Sequence, residues 1–564
     1  MSTAGLTRLA GSAAALVAAT TLATFSPEPT ARVAAQEPTP HPGWPLSAFT
    51  TADFSGSGVC ATCHSSLRDA AGHDVSFDAH WRSTMMAQSA RDPLWQAKVS
   101  VEVARTPALR EIIEQKCATC HAPMARTEAL QAGMPVALLG EGFLDPNHPL
   151  HEAALDGVSC TLCHQVRPEG FGTKPSFTGG YQIDLTTSPP NRVAFGPFAA
   201  PFVNPMRNAS GFTPTHAAHV LDSGLCGTCH TLYTPVVNAL GEVVGEFPEQ
   251  TPYLEWRHSA YGDGFDEDRS CQQCHMPAAA GGVILSNRPG GRQLSPRQPM
   301  GQHHFVGGNT LVLGMLGARV GELQLTASTA AFASTARRTL AQLESRTARV
   351  SVTDVDRSSD TLTLVVDVVN LTGHKFPTGF PSRRAWVHVA VTDNEGRIVF
   401  ESGRPEADGR IAGCDGDTEP GAYEAHYDLI TSAEQVQIYE AVMRDTDGAV
   451  THTLLRAHEY AKDNRLLPLG FLAATAPADI AVRGHAAADP TFEGGGDRVT
   501  YRVATGVASG PLTVDVALRY QTVSHAFVRD LRSTDTRETL RFGAMWDASE
   551  QGPALVSAVR LVVP

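Results

Sequence analysis

Five pentapeptides of the form Cys-x-x-Cys-His recur along the chain: CATCH at 60–64 (motif I), CATCH at 117–121 (II), CTLCH at 160–164 (III), CGTCH at 226–230 (IV) and CQQCH at 271–275 (V). This is the attachment signature of a c-type haem. Two thiols add across the two vinyl groups of one porphyrin, two intervening residues set their reach, and the following His lies under the iron. One chance match is expected in roughly a hundred such chains, so five exclude coincidence. A bare Cys-x-x-Cys also suits a redox dithiol or half a zinc site, but neither needs an adjacent His in every copy. Cys60, Cys63, Cys117, Cys120, Cys160, Cys163, Cys226, Cys229, Cys271 and Cys274 are therefore thioether candidates, and His64, His121, His164, His230 and His275 proximal ligands. Cys414, the eleventh cysteine, reads as a buried free thiol.

The second axial ligand sets each haem's task. A second His gives a low-potential electron carrier, Met raises the potential, and an open position binds a substrate. Seventeen His remain after the proximal five. By position, His73 and His80 follow motif I, His148 and His151 precede III, His216 and His219 precede IV, and His303 and His304 follow V. His374 is an outlier in NLTGHKFPTGFPSRRAWVHV, a Gly/Pro-shaped loop after a strand, where function often lives. Its two readings are a loop His bonded to backbone and a distal ligand handed across from the C-terminal region. His452, His458, His485 and His525 read as structural.

The elements that must hold these residues change character along the chain. Residues 1–35 carry Arg8, an Ala/Leu/Val run and the small residues Val33-Ala34-Ala35, the pattern of a cleaved secretory signal peptide. No later apolar run is long enough to span a membrane, so the expected location is periplasmic, extracellular or cell-surface. Residues 36–58 are an extended Pro/Gly lead-in, 59–310 hold all five motifs among short helical patterns, and 311–346 are a linking segment with a helix over Ser328–Arg346. From 347 to 564, runs such as TLTLVVDVVN, AWVHVAVTD and LTVDVALRY alternate between turn residues. The expected fold class is multidomain: a mainly α/irregular pentahaem domain, then an antiparallel β-sandwich-like domain with a helical insert at about 421–470 (AEQVQIYEAVMRD, HTLLRAHEYAKDN). Net charge is −14, and −15 without residues 1–35, with no basic run to suit nucleic acid. Redox-protein partners fit better, and an oligomer is compatible with the sequence.

GVSCTLCHQV, HVLDSGLCGTCHTLYTP, YLEWRHSAYGDGF…CQQCHMP and HHFVGGN resemble the multihaem cytochromes c related to the tetrahaem cytochrome of ammonia oxidation and, more distantly, to hydroxylamine oxidoreductase. The resemblance covers 59–310 well and the β region loosely. It implies five covalent haems stacked in close pairs, with His219 and one of His303 and His304 as distal ligands. Those cytochromes often supply a distal His from a W-x-x-S-x-H pattern; here the matching positions hold Met86 and Tyr261. Met86 would be a thioether ligand, Tyr261 would flank an open iron, and ordinary packing against a porphyrin face is the bland reading of both. The leading expectation is an electron carrier without bond chemistry. The alternatives are an oxidoreductase acting on a small nitrogen or sulfur compound, with Tyr261, His258, Arg257 and Lys375 as helpers, and a subunit of an extracellular haem filament. No variant attachment motif marks a special haem.

Overall fold

The computed structural model describes residues 40–564 apart from 265–266, 289–292, 507 and 509. The signal peptide expected at 1–35 and the start of the lead-in lie outside the described residues. The described residues form one compact unit.

In the N-terminal half, short helices alternate with loops. The longest is Pro93–Arg105, started by Pro93 at its first position and by the Asp92 carboxylate, which accepts from the N–H groups of Leu94 and Trp95 at 2.9 and 3.3 Å. Arg110–His121 ends in motif II. Two small sheets add strands 192–196 with 212–216, and 232–237 with 243–250. The linking helix appears as Thr329–Arg346, with the Ser328 hydroxyl accepting from Ala331 N–H at 3.1 Å.

Beyond it, two sheets face each other. One orders strands 348–357, 361–370, 496–504 and 429–430; the other orders 459–463, 438–444, 384–392, 512–521 and 554–563, with 398–402 also on 384–392. All pairings are antiparallel except 429–430 with 496–504. The alternation read from the sequence is the packing itself. Leu362, Leu364, Val366 and Val368 point into one core against Val387, Val389, Val391, Val514 and Val516.

Helices do not form in the segment 421–470, which corrects the expected helical insert. Ile438–Arg444 is a strand between Arg384–Thr392 and Glu459–Asp463, and Leu454–Arg456 is a single 3-10 turn. Ile438, Tyr439, Ala441, Val442 and Met443 are buried on both faces, so neither period shows in this stretch. Two helices not anticipated, His525–Leu531 and Arg537–Asp547, close the sandwich onto Pro93–Arg105.

The halves share their cores. Phe177, Tyr233, Tyr253 and Trp256 belong to the sandwich core. Met443, Leu454 and Leu455 pack with Ala118, Met124 and Leu138, and Phe527, Phe542 and Trp546 with Leu94 and Val101. The β region is thus built into the cysteine-bearing half.

Candidate haem sites

Each motif lies on, or runs off the end of, a short helix: Ser57–His64, Arg110–His121, Cys160–Cys163, Ser223–Gly227 and Cys271–His275. Residues i, i+3 and i+4 share one helical face, so this turn aims both thiols and the imidazole the same way. Local polar contacts set where the turns begin. Ser270 and Gln273 form a reciprocal capping box for motif V. The buried Asp156 carboxylate accepts from Ser57 N–H and Oγ at 2.9 and 2.6 Å and from Ser159 Oγ at 2.6 Å, which staples the starts of motifs I and III together.

All ten motif cysteines and all five motif histidines line one cavity of about 2590 Å³. A single small-molecule site is about 300–1,000 Å³, so the space suits several large planar groups. Within it the motifs lie beside one another in pairs. Cys60 neighbours Cys160, Cys120 neighbours Cys229, and Cys226 neighbours Cys271. Motif I therefore adjoins III, and both II and V adjoin IV. At the motif V end, Cys274 is the one exposed cysteine.

The motif histidines are prepared as neutral ligands. Nδ1–H donates to the carbonyl of Leu285 from His64, Phe195 from His164 and Val306 from His275, each at 2.6 Å, and to Ser89 from His121 at 2.9 Å. A proton held on Nδ1 leaves the Nε2 lone pair for a metal. Burial lowers all five pKa values, those of His121 and His230 to about 4, so the rings stay neutral at pH 7.

Ring geometry adds partners. A metal–imidazole bond is about 2 Å and a ring centroid lies roughly 1.1 Å behind its nitrogen, so two imidazoles across one ion have centroids about 6.3 Å apart. His164 and His303 are 6.3 Å apart at 22°, and His275 and His374 are 6.3 Å apart at 16°. His374 repeats the proximal pattern, with Nδ1–H donating to the Lys375 carbonyl at 2.9 Å, and burial lowers its pKa. His303 is half-buried, with its Nδ1 shielded from solvent and its ring near the Gly301 backbone.

The other candidates separate. Met86, His219 and Tyr261 line the cavity; His80, His148, His151 and His304 are not among its lining residues. His219 Nε2–H donates to the Val166 carbonyl at 2.9 Å, leaving Nδ1. His148 Nδ1 accepts from Leu150 N–H at 3.1 Å, and His151 Nδ1–H donates to Phe143 O at 2.9 Å. His80 and His304 meet edge to face at 4.4 Å, and burial lowers their pKa values to about 4 and about 3. His258 meets Leu472 O at 3.3 Å, and Arg257 donates to Gly172 O at 2.7 Å. Lys375 is fully buried against Asp463.

Sequence reasoning missed Trp95, whose indole stacks flat on the His121 ring at 4.4 Å and 5°. It also missed the four carbonyl acceptors, since a backbone oxygen carries no residue signal. Cys414 sits beside the buried Arg384–Asp417 pair, and burial pushes its thiol up to about 12, so it is inert. His426, Asp489 and Asp497 cluster within 4.8 Å among the described residues. There His426 Nε2–H donates to Asp489 at 3.0 Å, Nδ1 accepts from Gln437 and Asn464, and Asp497 accepts from Tyr439 and Gln437. Donors already fill the lone pairs a cation would need.

No family model matches the chain, and no curated protein does. Among solved structures, it is similar to a penta-heme cytochrome c552 from Thermochromatium tepidum, with a TM-score of 0.49 and 15% identity over 90% of this chain and 98% of that one.

Proposed function

We propose that this chain is an exported pentahaem c-type cytochrome that passes single electrons between redox partners through five covalently bound haems. One observation carries this reading: five attachment turns, dispersed over more than two hundred residues of sequence, face a single cavity. Haems supply the one-electron chemistry; the chain fixes their spacing, orientation and dry surround. The neighbouring motifs group I with III, and both II and V with IV. The exposure of Cys274 supports the motif V edge as the face at which a redox partner docks. His303 is assigned as the distal ligand for motif III and His374 for motif V, from their 6.3 Å ring separations. Residues 1–35 direct export, which haem attachment outside the cytoplasm requires.

A second reading has its own observation. Among the described residues, the His64 and His121 rings meet Phe77 and Trp95 rather than a second imidazole at 6.3 Å. An open iron at motif I or II would make the protein an oxidoreductase of a small nitrogen or sulfur compound, with Met86 as an alternative sixth ligand. Electron paramagnetic resonance on the oxidised protein, with spins counted per haem, separates the two. Five low-spin irons support the carrier, and about one high-spin iron per molecule supports the oxidoreductase. An intact mass short of five added haems overturns both.

A further inference from the structure

Behind His374 lies a quartet of buried charges that no metal ligand or attachment cysteine requires. Glu255, Lys375, Asp463 and Arg465 are at most 5% exposed. Glu255 comes from the helix Pro252–Arg257 ahead of motif V, Lys375 from the His374 loop, and Asp463 and Arg465 from the end of the strand Glu459–Asp463 and the residues after it. Asp463 accepts from Lys375 Nζ at 2.7 Å and from Arg465 Nε and Nη2 at 2.8 Å each. Glu255 accepts from Arg465 Nη1 at 2.9 Å, from Thr378 Oγ1 at 2.5 Å and from the backbone N–H of Lys375 at 3.2 Å.

The charges cancel, and such a pair or cluster does not by itself stabilise a fold, because desolvation offsets the attraction. What the quartet does is directional. Lys375 is held at both ends, its N–H by one carboxylate and its ammonium by the other. Its carbonyl is then the acceptor that sets the His374 ring through Nδ1–H. On the other side of the His, the His374 carbonyl accepts from Asn370 Nδ2 at 2.9 Å and Thr372 Oγ1 at 2.7 Å. A main-chain bridge between Phe376 and Leu466 ties the loop to the residues after Asp463. Of these clamps, Glu255 alone comes from outside the β region: it ties the Lys375 N–H, Thr378 and Arg465 to the helix ahead of motif V, so the full set forms only when the β region is seated there.

We propose that the quartet Glu255–Lys375–Asp463–Arg465 is a positioning device for His374: it fixes the imidazole through the Lys375 carbonyl, so the sixth position at motif V is set by docking of the β region. This rests on His374 being the distal ligand there. Lys375 is a positioning residue and does not touch iron.

The test uses the haem-loaded full chain. His374→Ala comes first: loss of one low-spin signal is required, and five surviving signals overturn the ligand assignment itself. Given that loss, Lys375→Met keeps the N–H and the carbonyl but removes the ammonium. The expected result is a shifted low-spin signal and midpoint potential at that one haem, with the other four unchanged. Thr378→Val, which removes one uncharged donor to Glu255, shifts the same signal less. A wild-type spectrum and potential in both variants, with only a lower melting temperature, overturn the proposal. If Lys375→Met fails to accumulate, Thr378→Val alone decides on the same signal.

Discussion

Glu249 gives the sharpest prediction. It lies on the strand Val243–Gln250, lines the cavity beside Lys116 and Cys117, and is only 3% exposed. Burial, and then the neighbouring Glu102, push its pKa up to about 8; Lys98 and Lys116 pull the other way without compensating. In the unfolded chain the same carboxyl titrates near its ordinary 4.5. Between these two values the unfolded chain has released the proton and the folded chain still holds it. The unfolded state binds fewer protons there, so stability falls as pH rises from about 4.5 to about 8 and is flat above. One pKa unit is about 1.4 kcal/mol, so the whole window costs about 5 kcal/mol. Glu249→Gln has no proton to lose. The variant should therefore gain on the wild type by about 1.4 kcal/mol per pH unit across that window. The assay is denaturant unfolding of both haem-loaded proteins at pH 5, 6, 7 and 8, followed by circular dichroism. The difference between them is compared at each pH, so that other titrating groups cancel. A difference that stays constant with pH would refute the reasoning.

Two further substitutions test packing. At Gly179, φ is +74° and an added Cβ would lie 2.0 Å from Thr119 Cγ2 and 3.6 Å from Cys120 Sγ, so the chain passes motif II only without a side chain. Gly179→Ala should cost on the order of 2 kcal/mol and reduce haem loading at motif II, read as melting temperature and intact mass; unchanged values would mean that the motif II turn moves freely. Leu364 is fully buried between the two sheets, so Leu364→Ala should destabilise by about 2–5 kcal/mol in the same unfolding assay. A loss below about 1 kcal/mol would mean that the core collapses around the gap.

What the sequence determined by itself was chemistry and local form. Cys-x-x-Cys-His names its cofactor because two thiols and an imidazole at that spacing occupy one turn of helix. The strands 361–370, 384–392 and 512–521 were legible because a sheet with one buried face alternates with period two. Legibility failed at 438–444, where burial of both faces removes the alternation, and at His525–Leu531 and Arg537–Asp547, which are held by contacts with a helix more than four hundred residues earlier. Among the many histidines, no local rule could rank His303 and His374 over His148 or His151. A proximal ligand is specified by a covalent spacing of one residue, whereas a distal one is specified by two chain segments meeting across an iron. Only tertiary structure decides which segments meet: it brings the His374 ring to 6.3 Å from that of His275, from a loop about a hundred residues downstream, beside buried charges drawn from three separate segments.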